Sequence, residues 1–167
     1  MANTTENLKA AFAGESQANR KYLFFAEKAE EEGLKQVARL FRATADAETV
    51  HARAHLRVLG GVKSTMENLQ SAIDGESYEF SKMYPEFIKQ AETEGSQAAR
   101  RSFDLANQVE KIHHALYSKA FAAVREGKAI VEQAVHVCQV CGMTVEGESP
   151  DKCPVCGAPK KQFKKID

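Results

Sequence analysis

From Thr4 to Glu126, apolar residues recur every three or four positions, the spacing of helices that bury one face. Four long helical patterns follow. The first runs from Thr4 to about Glu32 and stops at Gly33; its stripe is Leu8, Phe12, Glu15, Asn19, Tyr22 and Ala26. Asn3 and Glu6 are spaced as a capping box at its start. The second runs from about Leu34 to Leu59 and stops at Gly60-Gly61, with Ala38, Phe41, Ala45, Glu48, Ala52 and His55 in line and His51 beside Glu48. The segment VKSTMENLQSAIDG then holds a short helix opened by a Ser64/Glu67 capping box. The third long helix covers about Glu76 to Glu94 along Glu76, Glu79, Phe80, Met83, Phe87 and Ala91, and must kink at Pro85 or accommodate it. The fourth covers about Ser96 to Glu126 along Ala99, Phe103, Ala106, Glu110, His113, Tyr117, Ala120 and Val124. The turns at Gly33 and Gly95 are short, which makes antiparallel neighbours. The long connection at 60–75 suits a crossover between two hairpins. The pattern predicts an all-α four-helix bundle over residues 1–128.

From Ala129 the pattern changes. Residues 129–167 hold three of the four prolines and all four cysteines, which predicts a second, small domain. Cys138/Cys141 and Cys153/Cys156 form two C-x-x-C pairs. The opening MANTTENLKA has no basic stretch followed by an apolar core, so a cytoplasmic protein is expected. There, paired cysteines read as a metal site rather than a disulfide framework. Lys+Arg and Asp+Glu are equal at 23 each, which gives no footprint for nucleic acid or an anionic membrane. No apolar run reaches the ~18 residues of a membrane span.

Charge inside the apolar stripes carries the chemistry. Every long helix places at least one carboxylate on its core face, and two carry E-x-x-H: Glu48/His51 and Glu110/His113. The midpoint of Glu15 and Glu48 falls at the Gly33 turn, and that of Glu79 and Glu110 at the Gly95 turn. Each acid is therefore roughly 24 Å from its turn at ~1.5 Å per residue, and the four helices deliver acids to one level. Several carboxylates buried together cannot all stay ionised without cations. Two divalent metal ions resolve this, because i, i+3 spacing lets Glu and His of one motif reach one site. A glutamate from each of two helices and E-x-x-H from the other two is the ligand set of dinuclear carboxylate bundles. Glu76, three residues from Glu79, adds one more acid. His114 is also within reach of Glu110, but the matching position of the first motif is Ala52, which favours His113. Tyr22 and Tyr84 could support ligand carboxylates through their hydroxyls.

The two cysteine pairs, separated by 11 residues, can form a tetrahedral four-sulfur site for iron or zinc, and geometry alone does not choose. The CPVCG turn is expected to aim backbone N–H groups at the sulfurs and stabilise thiolates.

Nearly the whole chain resembles the rubrerythrin family. The motifs are AGESQANRKY around Glu15, AETVHA, GESYEF, VEKIHHALY, CQVCG and CPVCGAPKKQF. The resemblance implies a ferritin-like bundle holding two non-haem irons through Glu15, Glu48, His51, Glu76, Glu79, Glu110 and His113. It also implies a rubredoxin-like domain holding one mononuclear iron through Cys138, Cys141, Cys153 and Cys156. Tyr22 and Tyr84 fall where the family has tyrosines near the site. The implied activity is a non-haem peroxidase that reduces hydrogen peroxide to water in oxidative-stress protection. Its electrons would come from a donor such as rubredoxin or an NAD(P)H-dependent reductase. Glu79 resembles the family's exchangeable carboxylate beside the iron of His51. The relay is expected to reach the bundle of a partner subunit, hence a homodimer. The alternatives are a ferroxidase or iron-handling bundle, an oxygen-reducing oxidase, and a partner-binding bundle with a structural zinc ribbon. Met143, where many such knuckles carry an aromatic residue, and a slightly short loop between the knuckles depart from the family pattern.

Overall fold

The computed structural model describes residues 3–166. Helices dominate: α1 (Thr4–Glu31), α2 (Lys35–Val58), α3 (Thr65–Tyr78), α4 (Tyr84–Thr93) and α5 (Gln97–Arg125). Three short strands follow: β1 (Val135–Cys138), β2 (Thr144–Glu146) and β3 (Phe163–Ile166). The chain divides into two compact units, one ending at Lys63 and the other beginning at Ser64. The second unit therefore holds the second hairpin together with the cysteine region.

In the first unit α1 and α2 form an antiparallel hairpin. The Asn3/Glu6 capping box forms in full, Asn3 accepting from the Glu6 N–H and Glu6 from the Asn3 N–H. Gly33 takes φ 77 at the turn, a conformation open to glycine. Ala26, Ala29 and Ala38 are buried beside Phe41; small residues let the two backbones approach closely near the turn.

In the second unit α3 and α4 are joined by a π-helical turn, Glu79–Met83. One long helical segment thus runs from Thr65 to Thr93 and packs antiparallel to α5. This corrects the expected long connection at 60–75. The helix placed at Glu76 by sequence begins at Thr65, behind the Ser64/Glu67 capping box. Gly75 does not stop it, because a mid-helix glycine costs only about 1 kcal/mol against a continuous hydrogen-bond ladder. Pro85 is accommodated, not kinked into a break. It lacks an N–H and would clash with the carbonyl four residues back in a regular helix. The wider π turn ends just before it, where the Tyr84 N–H donates to the Glu79 carbonyl.

The strands form an antiparallel sheet in the order β2-β1-β3, with Val135 opposite both Glu146 and Ile166. Its core is Cys138, Met143, Cys153 and Ala158, which pack together with Val109 of α5; Ile112 and Phe163 lie against the same cluster. The cysteine region is therefore seated on α5. Among the described residues no helix is long and apolar enough to cross a membrane.

Candidate metal centres

The hairpin α1–α2 brings together Glu15, Glu48 and His51, with one donor atom from each within 4.8 Å of the others. The register counted from Gly33 is thus realised. Glu48 and His51 lie one turn apart on α2, with Oε2 2.8 Å from Nδ1. Asn19 holds the two helices at this height: its Nδ2 donates to the Ala45 carbonyl (2.6 Å) and to Thr49 Oγ1 (2.9 Å). Tyr22 packs against Phe25 and Phe41, with centroids 6.2 and 6.1 Å away. Its hydroxyl makes no hydrogen bond among the described residues. His55 is not part of the triad.

The second unit carries the matching set, Glu76, Glu110 and His113, again within 4.8 Å. His113 Nδ1 is 2.7 Å from Glu110 Oε2 and 3.9 Å from Glu76 Oε1. Burial, reinforced by a hydrogen bond and charge repulsion from Glu110, pushes the Glu76 carboxyl up to about 7. Glu79 lies outside this triad, but its carboxyl is also raised by burial and by the Glu110 charge. Tyr84 is held in its hydroxyl form by burial and by the charges of Glu79, Glu110 and Glu76. Simple counting from Gly95 puts Glu79 level with Glu110. The extra residue of the π turn moves that level to between Glu79 and Glu76; Glu76 joins the triad, and Glu79 lies near enough to feel the Glu110 charge. His114 packs in a T-shaped pair with Phe80, with centroids 5.4 Å apart, and leaves the site to His113.

The four cysteines are free thiols whose sulfurs cluster within 4.8 Å. Cys138 and Cys156 are 3.7 Å apart, and Cys141 and Cys153 are 3.6 Å apart. A tetrahedral ion with bonds of about 2.3 Å needs sulfurs about 3.8 Å apart, so the cluster fits a mononuclear four-thiolate centre. Each C-x-x-C-G turn closes in the same way. Gly142 donates to the Cys138 carbonyl (2.8 Å) and Gly157 to the Cys153 carbonyl (2.9 Å), both glycines at positive φ. Burial alone would raise the Cys153 thiol. The backbone N–H groups of Cys156 and Val155, together with the side chains of Cys156 and Cys141, outweigh it and bring the thiol down to about 7. Met143 is buried, with its sulfur 3.7 Å from Cys153 Sγ, and fills the place beside the cluster.

Two contacts join the second triad to the cysteine region. Val109 and Ile112 of α5 pack on the cysteine core, and His113 Nε2 is 3.0 Å from Thr144 Oγ1 on β2. Lys119 of α5 also pairs with Glu146 of β2. The chain's own cysteine region lies against its own α5, where Val109 and Ile112 offer it an apolar seat. Thr144 escapes sequence reasoning, since a threonine after a knuckle has no spacing that marks it.

The donor sets define a helical metalloprotein with carboxylate–histidine sites and a four-thiolate site. The family model for rubrerythrin matches residues 6–121, and that for the rubrerythrin rubredoxin-like domain matches residues 136–164. The chain is 36% identical to rubrerythrin-2 of Clostridium acetobutylicum over 97% of its own length and 96% of the relative's. It is 38% identical to nigerythrin of Nitratidesulfovibrio vulgaris over 98% and 86%. The solved structure of nigerythrin in a partially reduced state has a TM-score of 0.60 at 38% identity, covering 99% of this chain and 88% of that one. The fully reduced, all-ferrous state gives 0.60 at 37% identity, with the same coverage. The chain belongs to the rubrerythrin family. The donor chemistry fits that family's cofactors: two non-haem irons at carboxylates and histidines, and one iron at four thiolates.

Proposed function

We propose that the chain is a peroxidase that reduces hydrogen peroxide to two waters, taking up two electrons and two protons. The carrying observations are a carboxylate–carboxylate–histidine triad in each unit and, in the second, a four-thiolate site whose core is seated on the helix bearing Glu110 and His113. Glu15, Glu48, His51, Glu76, Glu79, Glu110 and His113 would hold the iron pair, which when ferrous supplies the two electrons that split the O–O bond. Glu79 would serve as the exchangeable carboxylate beside the iron of His51. The hydroxyl of Tyr84, kept protonated by burial and by the charges of the acids, would be available to orient a carboxylate of the loaded site. The four thiolates would hold an iron able to exchange one electron at a time, supplied by an outside donor such as a rubredoxin or an NAD(P)H-dependent reductase. The setting is the cytoplasm, where the thiols stay reduced, and the working form is a homodimer.

The test is anaerobic. Fully reduced protein carrying about three irons per chain receives one equivalent of hydrogen peroxide, followed by visible absorption. Oxidation of the bundle within the mixing time is expected. A bundle that ignores peroxide but oxidises with oxygen, or one that takes up and retains excess iron(II), removes the peroxidase reading in favour of an oxidase or an iron-handling protein.

A further inference from the structure

The hydrogen-bond directions around Thr144 fix more than a contact. A hydroxyl has one proton to give. Thr144 Oγ1 lies 3.2 Å from the Gly142 carbonyl, which can only accept, so the proton is directed there. The 3.0 Å contact between Thr144 Oγ1 and His113 Nε2 must then run the other way, with Nε2–H donating to the hydroxyl oxygen. In the neutral imidazole that a metal requires, the ring proton is then on Nε2, and the Nδ1 lone pair is left for a cation shared with Glu110 Oε2, 2.7 Å away, and Glu76 Oε1, 3.9 Å away; without a cation, a proton must bridge the 2.7 Å contact. The accepting carbonyl is itself held. Gly142 sits at φ +84 in the first knuckle turn, and its N–H donates to the Cys138 carbonyl at 2.8 Å.

We infer that Thr144 is a positioning residue that fixes the tautomer and ring orientation of His113, so that the fold of the four-thiolate site presets a ligand of the carboxylate–histidine site in the same chain. A metal-binding histidine is usually steered by the partner of its other ring nitrogen. What is unusual here is that the partner belongs to the second metal domain. His51 provides the contrast. Its Nδ1 also faces a glutamate, Glu48, at 2.8 Å, but its Nε2 has no partner among the described residues, and its side chain is 57% exposed against 25% for His113.

The inference rests on His113 and Glu110 being metal ligands. It is tested on the full-length chain loaded with zinc at both kinds of site. Long-range 1H–15N correlations of the histidine rings report which nitrogen carries the proton and which binds zinc. In the wild type, His113 is expected to hold its proton on Nε2, in slow exchange, with zinc on Nδ1. Thr144→Val removes the hydroxyl at nearly constant shape. It should speed exchange of that proton at least tenfold and weaken zinc binding at the carboxylate–histidine site by about 10- to 100-fold. The His51 signals and the zinc held by the four cysteines should not change. Thr144→Ser, which keeps the hydroxyl, should restore both readouts and so separates the hydrogen bond from a packing defect. A ring proton on Nδ1 in the wild type, or a Thr144→Val protein with unchanged exchange and affinity, overturns the inference while leaving His113 a ligand. Absence of any zinc-dependent shift at His113 in the wild type removes the metal-site reading itself.

Discussion

Glu76 and His113 show how individual residues bear the chemistry. Burial and Glu110 push the Glu76 carboxyl up to about 7, so in the metal-free chain it keeps a proton that an ordinary glutamate loses near 4.5. The folded form then binds more protons than the unfolded form between those values. The Glu76 contribution to the stability of the metal-free protein should therefore be greatest below about 4.5 and fall as pH rises to about 7. Metal needs the ionised carboxylate, so binding must expel this proton and weaken as pH drops below about 7. Calorimetric titration of the metal-free protein in buffers of different ionisation enthalpy reads the released proton directly; uptake of metal without proton release at pH 6 would contradict the assignment. Glu76→Gln removes this proton from the count of those released. The sequence showed the triads well, because a glutamate or histidine inside an apolar stripe conflicts with burial unless something pairs with it. It did not show Thr144 or the packing of Met143, since neither residue departs from what a small, loop-rich domain ordinarily contains.

At the level of elements, α1, α2 and α5 end within a residue or two of where periodicity, caps and glycines place them. The segment 65–93 was harder, and the reason is physical. Gly75 looks like a stop and Pro85 like a break, but both signals are weaker than the ladder of a helix already started at Ser64. The π turn Glu79–Met83 has no sequence signature of its own; only Pro85 hints that the helix must widen before it. That turn sets Glu79 beside the Glu76/Glu110 level. Pro85→Ala restores an N–H and lets a regular helix form, which should leave the melting temperature unchanged or higher. It should also rotate Glu79 away and slow peroxide oxidation of the reduced bundle by roughly 10- to 100-fold, as a misplacement of about 1 Å can. Stopped-flow rates beside a melting curve separate the two effects. A variant slowed only in proportion to lost stability would argue against a positional role for the turn. At the opposite end of the chain, Asn3→Ala removes the α1 capping box and should lower stability by about 1 kcal/mol in chemical denaturation, without changing metal content.

Across the molecule, the seat of the cysteine region on α5 joins two metal chemistries that sequence analysis could only set side by side. Val109 is 2% exposed and lies in one cluster with Cys138, Met143, Cys153 and Ala158, so the docking surface is part of the domain's own core. This seat explains why the chain divides at Lys63/Ser64 into compact units, while composition divides it near residue 129. Composition registers where side-chain chemistry changes; compactness registers where apolar surface is shared. If the seat serves electron delivery, the two centres must fail separately when addressed separately. Cys156→Ser, which breaks the four-thiolate set, should abolish the red colour of its oxidised iron while leaving two irons in the bundle. A single turnover of chemically reduced protein with peroxide should then proceed at close to the wild-type rate, whereas continuous turnover with a protein donor should stop. Val109→Ala acts on the seat rather than on a ligand. It should lower stability by about 2 kcal/mol through the cavity it leaves and slow donor-driven turnover while sparing the single-turnover rate and both spectra. Equal loss in the single-turnover and donor-driven assays would place the defect in the bundle, and the contact between the cysteine core and α5 would then be packing alone.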